Sequence, residues 1–233
     1  MRADDSVKAI LETFSDPEHV ATYAEGPPRF VPGYSSLHRM TGIMLAEKAP
    51  ADARVLVLGA GGGLEIKALA EEQPGWSFVG VDPSAEMLKL AEHMLKDHSP
   101  RVHLIQGYID DAPDGPFDAA TCLLTLHFLD ADERRRTEAE IQRRLKPGAP
   151  FVAAHSSFPQ GDGERGRWLS RYAAYAVASG ADPEKVEQGR SKVEASLSLF
   201  SPEQDEALLR EAGFSNVTLF YAAFTWRGWV AYA

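Results

Sequence analysis

The sequence predicts an α/β protein with a mostly parallel seven-stranded sheet that closes on a C-terminal antiparallel strand pair. Three observations carry this expectation. Strand-like and helix-like segments alternate from residue 54 to residue 155, a glycine cluster marks the first strand-to-helix turn, and residues 216–232 alternate aromatic with small side chains.

Residues 4–24 read as one or two short helices, broken near Asp16-Pro17. Gly26-Pro-Pro-Arg-Phe-Val-Pro-Gly33 is expected to be a rigid connector, because proline and glycine oppose any regular element. Tyr34–Lys48 reads as a helix with an apolar stripe of Leu37, Met40, Met44 and Leu45. Strands are expected near 54–58, 77–81, 101–106, 117–122 and 150–155, with helices near 63–73, 84–97 and 131–145. Alternation of this kind implies parallel strands joined by right-handed crossovers.

After residue 156 the pattern changes. Glycines at 161, 163 and 166 mark a mobile entry, and Glu164–Ala178 and Pro183–Leu197 look helical. Ser201 is a good N-cap with Pro202 at the first helical position, and Gly213 ends that helix. Asn216–Phe224 and Trp226–Tyr232 supply the terminal strand pair. The organisation expected is one domain over 1–233, with an N-terminal helical lid over 1–48 and a helical substrate cap over 156–200.

Bulk properties narrow the function classes. A chain of 233 residues with 44% apolar and 25% charged side chains suits one sizeable globular domain. Its net charge of −10, from 24 basic and 34 acidic residues, argues against direct nucleic-acid binding, which needs clustered cations. Cys122 is the only cysteine, so neither an internal disulfide nor a cysteine metal cluster can form. His19, His38, His93, His98, His103 and His155 lack metal-ligand spacing, so no metal site is expected. No run approaches membrane-spanning length and the first residues lack an apolar signal core; a cytoplasmic protein without membrane contact is expected. Arg134-Arg135-Arg136, followed by Glu138 and Glu140, reads as a solvated, self-paired helix face.

The chemistry concentrates after the first strand. Val55–Leu58 enters glycines at 59, 61, 62 and 63, and a helical pattern leaves them. Such a turn brings a ligand against backbone amides at a helix N-terminus. The second strand ends in Asp82, with Pro83-Ser84 opening the next helix. An acid at this distance is where a ribose diol is read, although Asp82 would equally serve as the cap of that helix. A dinucleotide fingerprint wants a third glycine at position 64, which is Leu64.

With these elements in order, the chain resembles class I S-adenosylmethionine (SAM)-dependent methyltransferases. The resemblance implies that Gly59, Ala60 and Gly61 approach the methionine part of SAM and that Asp82 accepts the ribose hydroxyls. It places Tyr108 against the adenine face and the backbone of Ile109 at the adenine edge, where related enzymes carry Gly-Asp. Leu123 and Leu124 stand where amine methyltransferases often place Asn/Asp-Pro-Pro-Tyr, so methylation of nucleic-acid amino groups is unsupported; Pro27-Pro28 lies in the wrong element. His127 is a candidate general base, because imidazole titrates near neutral pH. Cys122 reads as a small core residue.

Val31-Pro-Gly-Tyr-Ser-Ser-Leu37, Leu124-Thr-Leu-His-Phe-Leu129, Leu145-Lys-Pro-Gly148, Ser156-Ser-Phe158, Gln188-Gly-Arg-Ser191 and Glu211-Ala-Gly-Phe214 add a narrower resemblance. Together they are similar to the carboxy-SAM synthase family, which converts SAM and prephenate to carboxy-SAM and phenylpyruvate before tRNA wobble-uridine modification. That resemblance implies Tyr34 closing over the cofactor, Arg190 pairing with the added carboxylate, and a homodimer. The departures are Leu123 for an asparagine, Tyr108 for the strand-three aspartate, and Ala60 for a cysteine. The first expectation is therefore a SAM-dependent methyltransferase acting on a small, apolar or aromatic molecule, with Trp168, Tyr172 and Tyr175 lining the acceptor pocket or forming plain core. The alternatives are a carboxy-SAM synthase and a non-catalytic SAM-binding protein.

Overall fold

Five strands, β1 (Arg54–Leu58), β2 (Ser77–Asp82), β3 (Val102–Gln106), β4 (Ala119–Leu123) and β5 (Pro150–Ser156), run parallel in a computed structural model that describes residues 12, 14–16, 20 and 23–233. β6 (Ser215–Ala223) and β7 (Trp226–Tyr232) complete a sheet of order β3-β2-β1-β4-β5-β7-β6, in which β7 alone runs against its neighbours. The chain steps outward from β1 to β3, then returns to β4 on the other side of β1. That reversal opens a crevice at the carboxyl ends of β1 and β4, where open α/β sheets bind ligands.

Burial follows the strand order. β4 and β5 are buried along their whole length, whereas edge strands β3 and β6 are largely half-buried or exposed. A strand covered on both faces needs a continuous apolar run, and Ala119–Leu123 supplies one apart from Thr121. Alternate β1 residues feed opposite faces. Val55 and Val57 pack with Leu37 and Leu45 of α2 (Tyr34–Ala46) and Ile66 and Leu69 of α3 (Leu64–Glu72). Leu56 and Leu58 pack with Ile141 of α5 (Ala131–Arg143) and Leu209 of α8 (Pro202–Glu211). Between them in sequence lie α4 (Ala85–Met94), α6 (Glu164–Ala178) and α7 (Pro183–Ser196).

Three sequence expectations change. The connector contains a short helix, α1 (Gly26–Phe30), because both prolines fall in its first turn, where no backbone N–H is needed. The helix expected over 84–97 stops at Met94, and a 3₁₀ turn over Lys96–Arg101 accommodates Pro100. The arginine run is not one solvated face. Arg135 and Arg136 are exposed, but Arg134 and Glu138, one turn apart, point into the protein and are fully buried. The helices expected over 4–24 fall mostly outside the described residues, as does His19.

Arg134 is the centre of a buried polar knot. It pairs with Asp205 of α8, and its Nε donates to the Leu126 carbonyl at 3.0 Å. Its Nη2 donates to the carbonyls of Leu129 and Ser198, each at 3.2 Å, and its guanidinium covers the Phe200 ring. His155 Nε2 lies 3.2 Å from Asp205, and burial keeps this imidazole below its usual range. Burial alone would raise the Asp205 carboxyl, but His155 and Arg134 hold it low. Glu138 has no hydrogen-bond partner on either oxygen, and burial lifts its carboxyl to about 8. The knot ties the segment after β4 to the segment before α8.

Removing one member leaves a buried charge without its partner. Asp205→Ala is expected to lower stability by about 3–5 kcal/mol in urea unfolding. Glu138→Gln is expected to be stabilising at pH 8, with the gain vanishing near pH 4. A carboxyl raised on folding loses stability as pH climbs from its unfolded value toward about 8, and Gln removes that dependence.

Candidate functional site

The β1–α3 turn is built from glycines because the chain must cross the left-handed region three times. Gly59, Gly61 and Gly63 have φ of 75°, 49° and 80°. Gly59 also meets Thr125 so closely that an added Cβ would lie 2.0 Å from its Oγ1. The Gly59 and Ala60 amides donate to the Val81 carbonyl at 2.9 and 3.1 Å, which seats the loop on the end of β2. The Gly61 amide donates to Asp82 Oδ2 at 2.8 Å, and the Ser84 amide donates to Asp82 Oδ1 at 2.9 Å. Ser84, rather than Asp82, caps α4: its Oγ accepts from the Met87 amide at 3.1 Å. Burial raises the Asp82 carboxyl, and the two amides pull the other way.

β3 ends at Gln106, and the amide of the following Gly107 donates to the Asp82 carbonyl at 3.0 Å. The Tyr108 amide donates to Asp111 Oδ2 at 2.8 Å, and its side chain is half exposed. Asp110 holds Arg136 of α5 through contacts of 2.9 and 3.0 Å. β4 ends at Leu123, and Leu124 follows with a φ of 57°, a left-handed conformation that a branched side chain resists.

These turns enclose a cavity of about 500 Å³, within the range of small-molecule pockets. Tyr34, Gly59, Ala60, Gly61, Asp82, Pro83, Tyr108, Ile109 and Leu123 all line it. Among the lining groups not anticipated are Phe14 and Tyr23 from the N-terminal segment, and Glu65 at the start of α3. The Phe14 ring stands 6.1 Å from both Tyr23 and Phe128, and its carbonyl accepts from Ser84 Oγ at 2.7 Å. Nothing local in the sequence signals Phe14 or Tyr23. Glu65 did leave a signal, since it shares the buried stripe of α3 with Ile66, Leu69 and Ala70.

Both catalytic candidates lie elsewhere. His127 does not line the cavity; it is buried behind it, with its ring 4.2 Å from Phe128 and 5.6 Å from Trp226. Burial, with His155 and Arg134 nearby, keeps it neutral, and Nδ1 has no partner. Arg190 sits on α7, where Glu187 accepts from its Nε and Nη2 at 2.9 and 2.6 Å, and Glu194 from its Nη1 at 2.9 Å. Glu187 raises the guanidinium further above its usual range. Among the described residues, α6 and α7 contribute nothing to the cavity wall. Tyr172 packs on Phe30 and Trp226, Tyr175 on Phe224, and Trp168 donates to Glu164 and stacks under Arg171. No cluster of His, Cys, Asp and Glu fit for a metal occurs among the described residues, nor any helix long and apolar enough to cross a membrane.

A glycine turn with no room for a Cβ at Gly59, an acid at the end of the neighbouring strand, and a cavity of about 500 Å³ with Tyr108 on its wall fit SAM. The strand order and this site define a class I SAM-dependent methyltransferase fold. Residues 55–148 match the family described as "Methyltransferase domain". Along its length the chain is similar to carboxy-SAM synthases. That of Chromohalobacter salexigens is 26% identical over 221 residues, covering 93% of this chain and 82% of the relative. That of Actinobacillus succinogenes is 25% identical over 240 residues, covering 99% of each. Among solved structures, the CurJ carbon methyltransferase superposes with a TM-score of 0.67 at 16% identity, covering 99% of this chain and 67% of that one. PigF with SAH superposes with a TM-score of 0.66 at 17% identity; the chain matches over 94% of its length but spans 60% of PigF. The chain thus has the fold of class I SAM-dependent methyltransferases and a match to the methyltransferase domain over residues 55–148, and along its length it is similar to carboxy-SAM synthases.

Gly59→Ala is expected to abolish SAM binding and lower Tm by about 5–10 °C, through left-handed strain plus the clash with Thr125. Gly161→Ala, with nothing within 4 Å of its added Cβ, is the control and should leave both unchanged in calorimetry and thermal melts.

Proposed function

We propose that the chain transfers a methyl group from SAM to a small-molecule acceptor that enters beside Leu124, Phe128 and Leu129. The observation that carries this reading is the charge of the cavity. Glu65, Asp82, Asp110, Asp111 and Glu133 line it, and Arg136, already held by Asp110, is the one Lys or Arg among its described lining residues. SAM is a net cation, whereas carboxy-SAM carries one more negative charge and needs a fixed cation beside it. Arg190, the residue that would supply that cation by resemblance, is engaged by Glu187 and Glu194 on α7.

SAM supplies an electrophilic methyl on a sulfonium: the acceptor's lone pair forms the new bond to carbon as the S–C bond breaks, and that electron pair stays on sulfur. The protein's part is positioning. Gly59, Ala60 and Gly61 hold the methionine portion, Asp82 the ribose, and Tyr108 with Ile109 the adenine. Leu123 and Leu124 present an apolar wall, which suits an aromatic or aliphatic acceptor. With His127 walled off, the acceptor is one that ionises readily in water. The acidic rim disfavours nucleic acid as a direct partner. The same reading includes a cytoplasmic homodimer, supported by the single buried cysteine and by the synthase resemblance.

The second reading, a carboxy-SAM synthase, is favoured by the names of the full-length relatives and by Tyr34 at the cavity wall. Mass spectrometry of ligand released from purified protein separates the two. SAM or its demethylated product is expected; carboxy-SAM would overturn the first reading. Asp82→Ala is expected to weaken SAM by about 10–100-fold in calorimetry, the loss of hydrogen bonds to a charged acceptor. Unchanged affinity would remove Asp82 from the ribose site.

A further inference from the structure

Glu65 is a buried carboxyl with no cation to hold. It is 7% exposed, lines the cavity, and its Oε1 has no hydrogen-bond partner. It makes no ion pair among the described residues. Burial lifts it to about 7, so an empty site keeps much of it protonated at neutral pH. The groups facing it from every side are neutral or anionic. The Tyr23 phenol from the N-terminal segment is pushed up to about 12 by burial and by the charges of Asp82 and Glu65. From α2 come Tyr34, raised by burial and by Tyr23 and Glu65, and His38, which burial lowers to about 4. Asp82 closes β2, and β4 contributes the neutral Thr121 hydroxyl, which pulls the Glu65 carboxyl back against the effect of burial. A carboxyl placed this way is a site for a ligand cation.

The direction of the ligand follows from the walls already described. Adenine at Tyr108 and ribose at Asp82 send the remainder past Gly59–Gly61 toward Tyr34 and Glu65. The group at that far end is the amino acid of the cofactor, and a tyrosine pair beside it adds electron-rich ring faces. We propose that Glu65 pairs with the ammonium of the cofactor's amino-acid moiety, making it a specificity residue for the ligand's charge. This rests on the reading of the cavity as a SAM site. Pairing draws Glu65 into its ionised form, so binding below neutral pH releases a proton. It also disfavours a ligand bearing an extra carboxylate.

Calorimetry with SAM, S-adenosylhomocysteine and 5′-methylthioadenosine tests this on wild type and Glu65→Gln, a shape-preserving change. The first two ligands carry the ammonium; the third has neither ammonium nor sulfonium. Glu65→Gln is expected to weaken SAM and S-adenosylhomocysteine equally, by about tenfold or more, and to leave 5′-methylthioadenosine within about twofold. Wild-type affinity for SAM is expected to fall by up to about tenfold per pH unit below about 7, while the variant stays flat. Retained 5′-methylthioadenosine binding certifies the variant's fold. Equal affinities in the two proteins, or a pH slope that survives in the variant, would overturn the assignment. Loss confined to SAM would move the contact to the sulfonium, and equal loss for all three ligands would make Glu65 a support of the loop. Wild type that binds none of the three removes the SAM reading itself.

Discussion

The Asp82 carboxylate joins the two turns on which the site depends. One oxygen takes the Gly61 amide and the other the Ser84 amide, so the β1 and β2 turns are tied together across the switch point. Everything that could hold a nucleoside is referenced to that bridge. The glycine loop takes its height from it, α4 takes its start, and Gly107 adds β3 through the Asp82 main chain. Two charge-assisted amide bonds to one partly buried carboxylate are stronger than neutral pairs, which suits a joint between otherwise flexible turns.

A second constraint acts from behind the site. Arg134 gathers the carbonyls of Leu126, Leu129 and Ser198 together with Asp205, so the segment after β4 is clamped to the chain that leads into α8. The strained Leu124 and the walled-off His127 lie at the start of that clamped segment. The β4 side of the cavity is shaped by a buried ion pair, the β1–β2 side by glycines and one acid. The cavity that results is lined, among the described residues, by five acidic residues and one arginine.

Much of this was legible along the chain because the α/β pattern is local. Val55–Leu58 followed by glycines, Ser201 before Pro202, and the alternating tail each state their element within a few residues. The expected residues from Gly59 to Leu123 that line the cavity were legible for the same reason: each sits at the end of a strand or in the turn after it, whereas Tyr34, at the start of α2, came from its motif. Arg134 was not. Adjacent arginines look alike in sequence, and only the packing of α5 against α8 decides that one turns inward. Arg190 and His127 resemble site residues in their short motifs, yet their surroundings, two glutamates and an aromatic cage, are assembled from tertiary neighbours. Glu65 falls between these cases, a charge on an apolar stripe whose meaning depends on what the stripe faces.

The sequence by itself determined the succession of strands and helices, the glycine turn and the acid that follows it, because hydrogen-bonding geometry and hydrophobic period act over neighbouring residues. Only the tertiary structure decided the sign of the cavity, the residues that wall it and the candidates left outside. Charge and burial are sums over segments distant along the chain: Phe14, Tyr23, Glu65, Asp82 and Arg136 meet only when the sheet has closed.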